Sequence, residues 1–366
     1  MKKSTELIYI TRFIAAISVV IYHFMPKNIS YHYNYIIRNN NEAVNYFFFI
    51  SGFVMILASH KYIHDDLHYK KFSKLEFWIK RISRIYPLYL FALLLLLFFH
   101  YFIKAIEIPN IGYRLPFEII AIQRWLYARS INFPDWTISC EFLFYLFFPY
   151  LLIYIYKKPL KYTRTILAMF FLSVIINITV HYIREVSMND QWRRIVGIIN
   201  QHPILKFPTF ALGSLCGLQF SNGFFDRIIS SNRKSLISTG FCILIIIFAL
   251  YNTPIDYLFD SGLLAIVYFI FIPSICGIRV KDSRFFKVKW MIFLGDISYG
   301  IYIMQYPVML FYRYYISVID SIAQLGMFIL VLIFVSSLTF KLLELPLKTL
   351  IMKLYYARNN KVKTLA

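Results

Sequence analysis

Charge is scarce in this chain, and acid is scarcer still. Only 16% of its 366 residues are charged, and 18 Asp and Glu face 39 Lys and Arg. So few ionic groups cannot cover a soluble domain of this length when 59% of the residues are hydrophobic. Polar linkers, low-complexity tracts and a soluble basic module are also missing, so the net charge of +21 does not point to nucleic acid. Cysteine is sparse. Cys140, Cys216, Cys242 and Cys276 all fall in apolar runs without metal-ligand spacing, which predicts free buried thiols, no bound metal and no statement about redox compartment.

What the chain does have is apolar runs of membrane-spanning length, and ten can be marked. They cover 7–25, 43–60, 85–103, 136–156, 164–183, 203–220, 236–252, 259–278, 291–312 and 320–340. The expectation is an all-α polytopic membrane protein with about ten transmembrane helices. Lys2 and Lys3 before the first run resemble a signal peptide. Arg12 within the run and the lack of a small-residue cleavage site predict a retained span instead.

An even number of spans places both termini on one side, and the loop charges choose which. With the N-terminus inside, inside segments hold Lys70, Lys71, Lys74, Lys80, Arg81 and Arg84, then Lys157, Lys158, Lys161 and Arg164, then Arg227, Arg233 and Lys234. Arg279 to Lys289 and the C-terminal lysines follow, while outside segments hold fewer basic residues. This asymmetry predicts both termini cytoplasmic. Residues 1–345 are read as one transmembrane domain and 346–366 as a short basic tail on the membrane surface. The longest outside loops, near 26–42, 104–135 and 184–202, are modest, so no extracytoplasmic catalytic domain is expected.

Ionisable groups inside membrane spans are costly and mark candidate sites. Arg12 and His23 lie eleven residues apart in the first run. That is close to three helical turns, so they share a face roughly 16 Å apart along the axis. Histidine titrates near neutral pH and suits general-base work, whereas the plain alternative is a polar pair joining helices. Glu141, in Trp136-Thr-Ile-Ser-Cys-Glu141-Phe-Leu-Phe-Tyr145, is expected near the depth of His23, where a carboxylate would orient the imidazole. The alternative is a Glu reaching for the outer surface.

Arg81 and Arg84, in Lys80-Arg81-Ile-Ser-Arg84-Ile-Tyr-Pro87, are i, i+3 neighbours and form a fork suited to phosphate, unless they merely anchor the span. Ser51-Gly52, in Phe47-Phe-Phe-Ile-Ser51-Gly52-Phe53, suits close approach of a ligand or a helix. Leu294-Gly295-Asp-Ile-Ser298-Tyr299-Gly300, Gln305 with Pro307, and Glu344-Leu-Pro346 add polar groups that can face one cavity.

Together and in this order the motifs resemble the membrane-bound acyltransferase 3 family along nearly the whole chain. The resemblance implies a multi-pass enzyme of the bacterial inner membrane. Such an enzyme moves an acyl group, usually acetyl, from cytoplasmic acetyl-CoA to a hydroxyl of a lipid-linked or surface glycan such as O-antigen. It implies a catalytic role for His23 and donor binding by Arg81 and Arg84. Arg12, Ser51 and Gly52 are placed with the donor, Glu141 with His23, and Trp136, Tyr299 and Ser51 as oxyanion candidates. The family commonly has histidine where this chain has Gln305. Glutamine hydrogen-bonds but does not titrate, so Gln305 is left a substrate-orienting role. Some family members carry a fused hydrolase-like domain outside the membrane; none is seen here, so transfer is expected to finish in the membrane domain or on a separate partner. Membrane lipid surrounds the chain, and the oligomeric state is not legible. The competing classes are a transporter or flippase for a lipid-linked glycan and a polysaccharide polymerase. A flippase would not need paired arginines at the cytoplasmic face aligned with an outer His–Glu pair, and a polymerase is expected to have a larger outside loop bearing basic and acidic groups.

Overall fold

The computed structural model describes residues 4–26, 42–60, 62, 72–126, 129–186, 199, 201–251, 262–279 and 288–365. All regular structure among these residues is helical. The helices are α1 (Glu6–Phe24), α2 (Glu42–Ser59), α3 (Lys74–Phe98), α4 (Ile111–Ile119), α5 (Trp136–Lys157), α6 (Pro159–Val186) and α7 (Pro203–Ser221). They continue with α8 (Asn232–Tyr251), α9 (Ala265–Cys276), α10 (Val288–Tyr315), α11 (Ile322–Thr339) and α12 (Leu345–Leu365). One π-helical segment, Phe99–Ile103, extends α3, and another, Phe340–Glu344, joins α11 to α12.

Each of the ten apolar runs falls on one helix. Among the described residues, seven helical stretches are long and apolar enough to cross a membrane, and the chain is a polytopic membrane protein. The other three runs correspond to α7, α9 and α10. Helix α9 has only 12 residues, and α7 is largely buried among its neighbours. Seven of the ten expected runs thus have both the length and the apolarity of a span, while α7 and α10, of 19 and 28 residues, have the length with a more polar composition. From residue 346 the chain is helical and continuous with α11 through the π-helical segment, and Tyr356 Oη donates to Glu76 Oε1 at 2.9 Å on α3. Much of the charge-asymmetry argument rests on residues outside the described set, including Lys70, Lys71, Arg193, Arg194 and Lys281.

Local chemistry explains several helix starts. The Ser73 hydroxyl accepts from Glu76 N at the head of α3, and the Ser321 hydroxyl accepts from Gln324 N at the head of α11. Pro87, Pro149, Pro208 and Pro307 lie inside helices, which neighbouring helices make tolerable in a membrane bundle.

Two close approaches set the frame for the site. Helix α2 crosses α7 where Gly52 and Gly213 meet the opposing backbone; a Cβ on Gly52 would lie 2.8 Å from Ser214 N and collide with the Phe210 carbonyl. The crossing is filled by aromatic rings, with Phe144 stacked on Phe210 at 4.9 Å and Phe48 edge-on to Phe144 at 5.1 Å. Helix α1 meets α10 at Gly295, where a Cβ would lie 2.6 Å from the Cα of Tyr9. That contact brings the Arg12 and His23 face of α1 alongside α10.

Candidate active site

Helix α10 carries a polar stripe at three-residue spacing: Asp296, Tyr299, Tyr302 and Gln305. Three residues fall about 60° short of one turn, so these side chains wind roughly half-way around the helix while rising roughly 13 Å from Asp296 to Gln305. Each one meets a group brought in by another helix.

At the Asp296 end, Arg84 of α3 approaches Asp296 Oδ1 at 4.0 Å. Tyr299 Oη donates to the Ile85 carbonyl at 2.8 Å and pins α10 to α3. Arg81 lies with its guanidinium 5.5 Å from the Phe77 ring centre and 6.0 Å from that of Tyr145. Its Nε is buried and has no acceptor. Trp78 Nε1 donates to the Tyr145 carbonyl at 2.9 Å, locking α3 to α5 at this level. Arg81 and Arg84 both line a cavity of about 90 Å³, together with Arg12, Ser51, Glu141 and Tyr145.

A second cavity of about 60 Å³ shares Arg12, Phe47, Glu141 and Tyr299 with the first and reaches Thr137, Ser298 and Tyr302. Glu141 Oε2 accepts from Tyr145 Oη at 2.7 Å, and its cationic neighbours are Arg12, Arg84 and Arg81. Among the described residues no carboxylate lies within ion-pair distance of Arg12 or Arg81. Three guanidinium groups thus surround the cavity carboxylate Glu141, with Asp296 beside Arg84; Arg12 and Arg81, without an ion-pair partner among the described residues, suit an anion.

At the other end of the stripe stands His23. Its Nδ1 lies 2.8 Å from Gln305 Oε1, while Gln305 Nε2 donates to the Tyr302 carbonyl at 2.8 Å. The second bond fixes which end of the amide faces the imidazole. Gln305 therefore presents an acceptor, the proton sits on Nδ1, and Nε2 keeps its lone pair. The Phe133 ring holds the imidazole edge-on at 4.6 Å. His23 lines a third cavity of about 670 Å³ with Phe24, Met25, Met309, Arg313 and Asp320.

The structure thus gathers Arg12, Arg81, Arg84, Ser51, Glu141 and Tyr299 around connected space and puts His23 with Gln305 farther along the same stripe. It does not pair His23 with Glu141: Gln305 is the hydrogen-bonded partner of His23. Gly52 lies at the crossing with α7 and outside both small cavities. Trp136 is buried edge-on against Phe48 at 6.0 Å, one residue before the cavity-lining Thr137. Asp296, Thr137 and Tyr145 lie in the quoted motifs without an assigned role, and Tyr302 stands two residues beyond Gly300. The three-residue repeat along α10 was the signal that would have found two of them.

The acyltransferase domain model matches residues 8–343. The chain belongs to the acyltransferase 3 family. Similar proteins include the O-acetyltransferase OatA of Staphylococcus aureus strain NCTC 8325, 23% identical over 92% of this chain and 56% of the relative. OatA of strain COL matches with the same identity and coverage. The chain thus spans about half the length of the curated relatives it matches. No solved structure matches it.

Proposed function

We propose that this chain is a membrane O-acyltransferase of the bacterial cytoplasmic membrane. It moves an acetyl group from cytoplasmic acetyl-CoA to a hydroxyl of a lipid-linked or surface glycan sugar. The observation that carries this reading is the α10 stripe, which joins an arginine-rich cavity to a histidine with a free Nε2. Arg81 and Arg84 receive the donor phosphates. The pantetheine arm follows α10 past Arg12, Tyr299 and Tyr302, a climb comparable with its extended length. The two small cavities hold only part of that arm, so donor binding widens the space between α2, α3 and α10.

His23 Nε2 takes the proton from the acceptor hydroxyl, and the oxygen attacks the thioester carbonyl. The carbon–sulfur bond breaks and the proton passes to the departing CoA thiolate. Gln305 keeps the imidazole in the tautomer this step needs, a role that requires an acceptor and no titration. Glu141 balances and orients the arginines and does not touch the base.

Two features support this reading over a flippase. The charged cluster and the histidine meet the two ends of one polar row that winds along α10, and the relatives are named as O-acetyltransferases. The test is transfer of radioactive acetyl from acetyl-CoA to glycan in isolated membranes. Label in glycan that disappears with His23→Ala at matched abundance is the expected result. Equal label with either form overturns the reading.

A further inference from the structure

The large cavity beside His23 has two charged groups in its wall among the described residues, Arg313 and Asp320, and they make no ion pair with each other. Arg313 lies eight residues beyond Gln305 on α10, roughly 12 Å along the axis. Helical side chains lean back toward the N-terminus. His23 and Arg313 line the same cavity, so one ligand in it can meet both the imidazole and the guanidinium. Asp320 sits on a fixed turn: its N–H donates to Gln324 Oε1 at 2.8 Å, and the Ser321 hydroxyl donates to the same oxygen at 3.1 Å. Phe24, Met25 and Met309 supply apolar surface in the same wall.

This set of groups matches a particular acceptor. One arginine forms a bidentate pair with one carboxylate. One aspartate accepts from neighbouring ring hydroxyls, and apolar side chains suit the C–H face of a sugar. A diphosphate would bring two or more negative charges to a single arginine beside an aspartate, which disfavours seating a lipid carrier's diphosphate here. We infer that the acceptor is an acidic sugar, with Arg313 binding its carboxylate in the same cavity where His23 deprotonates the hydroxyl. This rests on the acyltransfer reading above.

The test uses full-length protein in membranes, labelled acetyl-CoA, and de-O-acetylated envelope glycan from cells that carry the protein. The glycan is offered unmodified, with its carboxyls converted to amides by carbodiimide, or with its phosphates removed. The wild type is expected to lose about tenfold in kcat/KM on amidation and little on phosphate removal. Arg313→Ala is expected to act on unmodified glycan at the reduced level and to show no further loss on amidation. Arg313→Lys, which keeps the charge without the fork, should fall between them and guards against a folding artefact. Equal wild-type activity on amidated and unmodified glycan overturns the inference, as does a loss that follows phosphate instead. Absence of label from every glycan with the wild type would instead remove the acyltransfer reading itself.

Discussion

Gln305 Oε1 stands 2.8 Å from His23 Nδ1, with the amide nitrogen committed to the Tyr302 carbonyl. A residue that cannot titrate thereby selects the histidine tautomer. Gln305→Ala is expected to lower kcat about 10–100-fold with little change in donor KM, because the imidazole loses its orientation while the arginine cavity is untouched. Gln305→Leu, similar in bulk, should be as damaging as Ala. Steady-state kinetics in membranes at matched abundance check this, and near-normal kcat in Gln305→Leu would show that the hydrogen bond is dispensable.

The arginine pair makes a separate prediction. Arg81→Lys and Arg84→Lys keep the positive charge and lose the planar fork. Each is expected to raise the apparent KM for acetyl-CoA by about tenfold or more, in line with about 1.5–3 kcal/mol for a charge-assisted bond, with turnover recovering at saturating donor. Unchanged donor KM in both lysine variants would leave only membrane anchoring for these residues.

Gly52 tests the packing assignment. A methyl group there would collide with the Phe210 carbonyl and Ser214 N, an overpacking cost of about 1–3 kcal/mol. Gly52→Ala is expected to reduce abundance and detergent-solubilised melting temperature, while the protein that survives keeps its donor KM. A raised KM at normal abundance would return Gly52 to the donor site.

The segment between α3 and α5 carries a pH signature. Glu118 on α4 is fully buried, and that burial pushes its carboxyl up to about 8, with Arg114 and Arg124 pulling the other way. The unfolded chain ionises it in the ordinary carboxylate range. The folded state therefore holds the extra proton between that range and about pH 8. Its contribution to stability is complete at acid pH and lost as pH rises through that window. Melting temperature should fall across it, and Glu118→Gln should flatten the fall. An equally steep profile in Glu118→Gln would assign the effect elsewhere.

Much of this was legible in the chain. Apolar runs located the helices because a bundle in lipid must be apolar wherever it is not paired, and Arg12, Arg81, Arg84 and Glu141 stood out against that background. The His23–Glu141 pairing was not legible. Counting residues gives depth and relative rotation within one helix and says nothing of how that helix is turned toward another, and Glu141 turns toward Tyr145 and the arginines. Ser51 and Gly52 show the same limit: adjacent in sequence, they point to different sides of α2, one into the cavity and one against α7. The role of Gln305 depended on the Tyr302 carbonyl, a backbone contact that residue identity does not disclose.

In the proposed reaction, a path along α10 takes the donor from one face of the membrane and the acceptor from the other. Sealed vesicles of both orientations, given membrane-impermeant labelled acetyl-CoA outside, test it directly. Label should enter glycan in inside-out vesicles, where the Arg81 and Arg84 face meets the donor, and should be absent from right-side-out vesicles until they are permeabilised. Label appearing in intact right-side-out vesicles and not in inside-out ones would contradict the path.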